Sequence, residues 1–158
     1  MVNVNVLDLR VKDVMTEVPE TLSAKLTVGE AYAVLTGERL SGAPVVDEAG
    51  NATGVFSVTD ILDDLAPVLD PNAAVDAQLL EAIKARPVGE AGWGPPISCG
   101  REATLVEACA LMVKERVHRV IVLEGTRPVG VLSAIDVVRA VACLGAEGGR
   151  GGEDEACP

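Results

Sequence analysis

At 158 residues the chain has the length of one ordinary domain; 49% of it is hydrophobic and its formal net charge is -11. The hydrophobic share excludes a disordered chain, and the acidity excludes general nucleic-acid binding, which needs clustered cations to displace phosphate counterions. With Tyr32, Phe56 and Trp93 as the whole aromatic set, the core has to be aliphatic, a palette that suits short buried strands on small-residue helices.

The first clear element starts at Thr27. Thr27-x-x-Glu30 is a capping box, in which hydroxyl and carboxylate satisfy the free amides of a helix start. Ala31, Val34 and Leu35 then fall at helical spacing on one face, while Gly29 and Gly37 weaken the helix. Pro44-Val45-Val46 predicts a strand, residues 47–51 a turn, and Gly54-Val55-Phe56-Ser57 a second strand that runs through Asp60 into another helix. Asp70-Pro71 predicts an N-cap with proline in the first helical position, and Val75, Leu79 and Ile83 continue a docked linker helix to about Pro87.

The second half then repeats the first. A single offset lays Thr27 on Thr104, Glu30 on Glu107, Ala31 on Ala108, Ala33 on Ala110, Glu38 on Glu115 and Arg39 on Arg116. After a one-residue deletion in the following turn, Gly54-Val55-Phe56-Ser57 meets Gly130-Val131-Leu132-Ser133, and Asp60 meets Asp136. Each half reads β-α-β-β-α, so the fold class is α+β, in two tandem repeats: residues 1–68, a helical linker 69–87, residues 88–144, and an acidic, Gly-rich tail 145–158 expected to be mobile.

Cys99, Cys109, Cys143 and Cys157 form no C-x-x-C pair, and His118 is the sole histidine, so zinc and thioredoxin-like readings lack support. Cys99 and Cys109 read as small buried hydrophobes. With no signal-peptide pattern and no apolar run long enough to span a bilayer, a soluble protein of a reducing compartment, the cytoplasm, is expected.

A duplicated β-α-β-β-α unit ending each time in G-h-h-S/T-x-x-D (h, apolar) resembles the CBS-domain pair, or Bateman module, over residues 11–142. Val11-Lys12-Asp13-Val14-Met15-Thr16 resembles the family's opening segment, and Ser41-Gly42-Ala43-Pro44-Val45-Val46-Asp47 its second-strand motif. The resemblance implies two repeats packed through their sheets with pseudo-two-fold symmetry. It also implies clefts between the repeats that take AMP, ADP, ATP or S-adenosylmethionine, and pairing into a homodimer.

On that resemblance, Asp60 and Asp136 match the ribose-binding position, with Ser57 and Ser133 as hydroxyl partners. A carboxylate can take both hydroxyls of a ribose diol in charge-assisted bonds. The competing reading is that each Asp caps the helix that follows. His118-Arg119 resembles the phosphate-contacting His-Arg of the AMP-activated kinase gamma subunit, whereas the first repeat has Ser41-Gly42 in that register. The Asp136 cleft is therefore expected to prefer a phosphorylated nucleotide, and the Asp60 cleft a neutral or cationic adenosyl compound, or nothing. Family habit has each cleft closed by the other repeat's opening segment. Residues 13–18, from Asp13 to Val18, would cover Asp136, with Ser41 reaching toward the phosphates; residues 93–97, from Trp93 to Ile97, would cover Asp60. Trp93 fills or packs there more readily than it stacks on adenine, because burying an indole is favourable without a ligand.

A catalytic reading finds no nucleophile–base pair of fixed geometry, no Walker-type lysine loop and no metal-held water. The expectation is a regulatory sensor without catalysis or a required cofactor, acting on a separate effector protein and on neither nucleic acid nor membrane. The rival expectation is a dimerisation and interaction module with vestigial clefts.

Overall fold

The computed structural model describes residues 5–17, 20–72, 74, 76–90 and 95–147. By contacts the chain divides into two compact units, Pro19–Pro96 and a second that joins Met1–Val18 to Ile97–Pro158.

In the unit Pro19–Pro96, β2 (Leu22–Ser23) pairs in parallel with β3 (Gly42–Val46), which pairs antiparallel with β4 (Ala52–Ser57). Helix α1 (Val28–Gly37) lies between β2 and β3 in sequence, and α2 (Val58–Leu69) follows β4. The capping box at Thr27 forms as its residue types dictate: Glu30 N donates to Thr27 Oγ1 at 3.2 Å and Thr27 N to Glu30 Oε2 at 2.9 Å. Ala31 and Leu35, one helical turn apart, are buried with Leu22, Val45 and Phe56 in one core, and Val34 packs against it. Burial of each large aliphatic side chain there contributes about 2 kcal/mol.

The linker helix α3 (Ala77–Ala85) packs on α1 and α2, and Ile83 reaches the core. Its N-cap is Asp76, which accepts from Gln78 N at 2.9 Å and Leu79 N at 3.2 Å; the expected cap at Asp70-Pro71 is not where this helix begins. Helix α2 runs on to Leu69, so Asp70 ends it, in the extended conformation that a following proline imposes. Proline here stops one helix rather than starting the next. Val75 lies outside the described residues.

In the other unit, β5 (Ser98–Gly100) pairs in parallel with β6 (Arg119–Glu124), which pairs antiparallel with β7 (Arg127–Ser133). Helix α4 (Leu105–Glu115) precedes β6, and α5 (Ala134–Glu147) follows β7 and extends past Gly145. Residues 148–158 lie outside the described set. Each half therefore has the β-α-β-β-α order read from the sequence, and even the ladder irregularities match, at Val45/Val46 and Val122/Leu123. A fourth strand, β1 (Thr16–Glu17), comes from the chain's opening segment and adds to the far side of β7, with Thr16 opposite Val131 and Glu17 opposite Gly130. Val11, fully buried, sits in this core with Leu105, Met112, Val120, Val122 and Leu132. The ion pairs Lys12–Glu102 and Arg101–Glu17 flank the joint.

Candidate functional site

In both units the last strand residue is a serine and the helix after it carries an aspartate one turn on. Ser57 N and Oγ donate to Asp60 Oδ2 at 2.7 and 2.6 Å, closing a capping box at the start of α2. Ser133 repeats it, with N and Oγ donating to Asp136 Oδ2 at 2.9 and 2.5 Å while Asp136 N donates to Ser133 Oγ at 3.3 Å. The reading in which each Asp is itself the cap, with helices from Ile61 and Val137 onward, is corrected: the helices begin at Val58 and Ala134, Ser57 is the N-cap of α2, and each Asp closes the box from inside the first turn through Oδ2. Capping and ligation are compatible, since a carboxylate has four acceptor positions and the cap occupies only those of one oxygen. Asp136 Oδ1 meets Arg139 Nη1 at 3.3 Å; among the described residues no partner stands on Asp60 Oδ1.

The strand beside each serine differs in chemistry. Arg119 is opposite Ser133 on β6, and Gly42 is opposite Ser57 on β3. The hydrogen bonds that close the two corners are equivalent, Ala134 N to His118 O at 2.9 Å and Val58 N to Ser41 O at 3.0 Å. The offset that pairs His118-Arg119 with Ser41-Gly42 therefore holds in three dimensions. A side chain at position 42 would have no room: a Cβ there would lie 2.9 Å from Ser57 Cβ and 3.0 Å from Phe56 O.

The other residues singled out in the sequence fall as follows. His118, exposed, lines a cavity of about 490 Å³ together with Met112, Val113, Arg116, Val117 and Val137 of α4, α5 and their surroundings; neither Arg119, Ser133 nor Asp136 lines it. Strand alternation explains the split: His118 has the parity of Val120 and Val122, which are buried with Leu105 and Met112 of α4, whereas Arg119 has that of Ile121, which is not in that cluster. Asp13 is exposed and accepts from Arg10 N at 2.8 Å across its own short 3-10 turn, Val11–Asp13. Ser41 is exposed at the corner already described. Ile97 packs against the core that carries Asp136's helix, its carbonyl accepting from Ile121 N at 3.0 Å. Trp93 and Val18 lie outside the described residues. The opening segment's Thr16 and Glu17 lie along β7, the strand that ends in Ser133.

Arg139 is the residue that the sequence reading missed. Its signal was the i,i+3 spacing from Asp136 on a helix, a spacing at which opposite charges meet. Met15, named only as part of the opening segment, is buried, and its Sδ stands 2.6 Å from where a Cβ on Gly130 would be. Cys99 and Cys109 are free thiols whose partial burial raises their pKa, whereas Cys143 is disulfide-bonded, which the expectation of a reducing compartment does not favour. Among the described residues no group of three or more His, Cys, Asp or Glu could hold a metal, and no helix is long and apolar enough to cross a membrane.

Against known proteins, residues 11–67 and 88–143 each match the CBS domain family. The chain is 31% identical over 112 residues to the 5′-AMP-activated protein kinase subunit gamma-3 of Sus scrofa, covering 70% of this chain and 21% of that protein. It spans about a fifth of the length of the gamma-3 relatives it matches. Among solved structures, CBSX2 in complex with AMP aligns with a TM-score of 0.70 at 23% identity, covering 86% of this chain and 98% of that one. The CBS domain pair of protein MJ0100, solved with 5′-methylthioadenosine and S-adenosyl-L-methionine, also aligns at 0.70, with 22% identity and coverage of 85% and 97%.

Proposed function

Because the chain belongs to the CBS-domain family, with its repeats in tandem, we propose that it is a regulatory module that senses an adenosine-containing small molecule. The observation that carries this reading is the repeated Ser–Asp corner, at Ser57 and Asp60 and again at Ser133 and Asp136. Each carboxylate is held by its box through Oδ2, which leaves Oδ1 turned to other partners: Arg139 at Asp136, and none among the described residues at Asp60, so that a ribose diol would share Asp136 with Arg139. Likeness to proteins solved with AMP, or with 5′-methylthioadenosine and S-adenosyl-L-methionine, supports the adenosyl class.

In this reading Asp136 and Ser133 hold the ribose of AMP, ADP or ATP, and Arg119, beside them on β6, takes the phosphate with its planar fork of donors. His118 joins it only by turning from the α4–α5 side. Asp60 and Ser57, with Gly42 beside them, take an adenosyl compound without a phosphate, such as S-adenosylmethionine. No reaction is assigned to the module. Ligand shifts the population of one arrangement of the chain, and an effector protein reads it.

The rival role, as an interaction module, draws on one observation. Val106, Val113, Ile135, Val138 and Val141 are exposed along α4 and α5, an apolar face that favours a homodimer. A cytoplasmic location goes with the free thiols Cys99 and Cys109; the disulfide at Cys143 weighs against it.

Thermal melts with AMP, ADP, ATP, NAD and S-adenosylmethionine test the reading. A ligand bound only by the folded state raises the melting temperature as its concentration rises. The shift with AMP should vanish in Asp136→Ala and in Arg119→Ala. Flat curves for every compound would leave only the interaction role.

A further inference from the structure

We propose that Arg139 selects the charge of the ligand accepted at Asp136, and that Asp63, its counterpart in the first repeat, reverses the selection at Asp60. The inference rests on the adenosyl-sensing reading above and adds to it a residue that decides which adenosyl compound each repeat takes.

The two corners share their hydrogen bonds and differ in charge. In the second repeat Arg139 Nη1 stands 3.3 Å from Asp136 Oδ1, one turn further along α5. The Asp136 side chain is only 13% exposed, so its charge is poorly screened by water, while the Arg139 side chain is 56% exposed. The register that lays Asp60 on Asp136 lays Asp63 on Arg139. Asp63 is exposed and has no cation against it among the described residues; Arg86 pairs with Asp64, the next residue along. One helix turn is therefore neutral at the second corner and doubly negative at the first. The neighbouring strand adds to the contrast, with Arg119 opposite Ser133 and Gly42 opposite Ser57.

A ribose held by its 2′ and 3′ hydroxyls carries its 5′ substituent a few bonds away. A phosphate there feels the aspartate and whatever neutralises it. Between water-like and protein-like dielectric limits, a unit charge about 7 Å away changes affinity on the order of tenfold. Neutralised by Arg139, Asp136 tolerates a phosphate; joined by Asp63, Asp60 repels it and favours a neutral or cationic substituent such as a sulfonium. Arg139 acts through Asp136 and is a positioning and charge-selecting residue rather than one that must touch the ligand.

The test is calorimetric titration of the whole chain with AMP, adenosine and S-adenosylmethionine, with melting temperatures confirming that each variant is folded. An Asp60→Asn background isolates the second corner. There, Arg139→Gln should lower the AMP-to-adenosine affinity ratio about tenfold, and Arg139→Lys should restore it. In an Asp136→Asn background, Asp63→Arg should raise AMP affinity relative to S-adenosylmethionine. A purely structural role for Arg139 would weaken AMP and adenosine alike. An unchanged ratio, or an equal fall for both ligands, overturns the charge rule and leaves the sensing role standing. A wild-type chain that binds none of the three compounds sinks the sensing role, and the charge rule with it.

Discussion

Arg119 lies directly across the β6–β7 ladder from Ser133, at the residue where β7 gives way to α5. The same place in the first repeat pairs Gly42 with Ser57, and there the backbone approach leaves no space for a side chain. Gly42→Ala should therefore destabilise the protein by about 1–3 kcal/mol, the usual range for overpacking a filled site. Denaturant unfolding measures it. Arg119→Ala, at a position that already carries a side chain, should cost far less; equal losses would contradict the asymmetry of the two corners.

Asp136 has two separable duties. Replacing it with Ala removes the carboxylate half of the capping box on α5 and the ligand acceptor together, at a stability cost of about 1 kcal/mol. Asp136→Asn keeps an oxygen for the backbone amide and the hydroxyl of Ser133 but gives up the negative charge. It should melt within a degree or two of wild type, on the order of a few tenths of a kcal/mol, and still bind adenosyl ligands more weakly. Paired melting and calorimetry would show whether the losses separate. If Asn binds as tightly as Asp, the carboxylate is not the diol's acceptor.

The joint between the opening segment and β7 depends on a missing side chain. At Gly130 a Cβ would come within 2.6 Å of Met15 Sδ and 3.0 Å of Thr16 O. The sulfur can swing aside; the backbone carbonyl cannot. Gly130→Ala should push β1 off β7 and speed hydrogen exchange at the β1–β7 pairing, with exchange in α4 changing much less. Adding Met15→Ala should rescue only the part due to the sulfur. Unchanged protection in the single variant would show that β1 does not need this close approach.

Acid should loosen the first turns of α1 and α4. The Glu107 carboxylate is held below its ordinary pKa of 4.5, first by the Thr104 backbone N–H, then by the Thr104 hydroxyl, with Arg10 adding a smaller pull. Glu30 is held down in the same way by Thr27. A depressed folded-state pKa means that the stabilisation is present above the unfolded value and is lost as pH falls through the folded one. The loss therefore falls below about pH 4.5, with none expected near neutrality. Side-chain carboxyl shifts followed by NMR should give both glutamates midpoints below those of exposed glutamates, and Thr104→Ala should return Glu107 toward its ordinary value.

What could be read directly from the sequence was local. The capping boxes at Thr27 and Thr104 need only residues three apart, and the helix faces of Ala31 with Leu35 and of Ala108 with Met112 need only helical periodicity. The duplication then doubled every such signal, so the β-α-β-β-α order and the Ser–Asp corners were legible before any coordinates. The linker's start was misread because a proline suits both a helix's first residue and the position after its end. Only the continuation of α2 to Leu69 decides between them.

Long-range pairing was decided by the tertiary structure alone. Nothing within a few residues of Val11 indicates that it will be buried among Leu105, Met112 and Leu132, or that Thr16 will lie beside Val131. Strand alternation put His118 on the cavity side of β6, while pairing with β7 put Arg119 opposite Ser133, so two residues adjacent in sequence were assigned to different surroundings. Short-range hydrogen bonds and periodicity are written into neighbouring residues, whereas the partners of a strand are chosen by which distant apolar faces can be buried together.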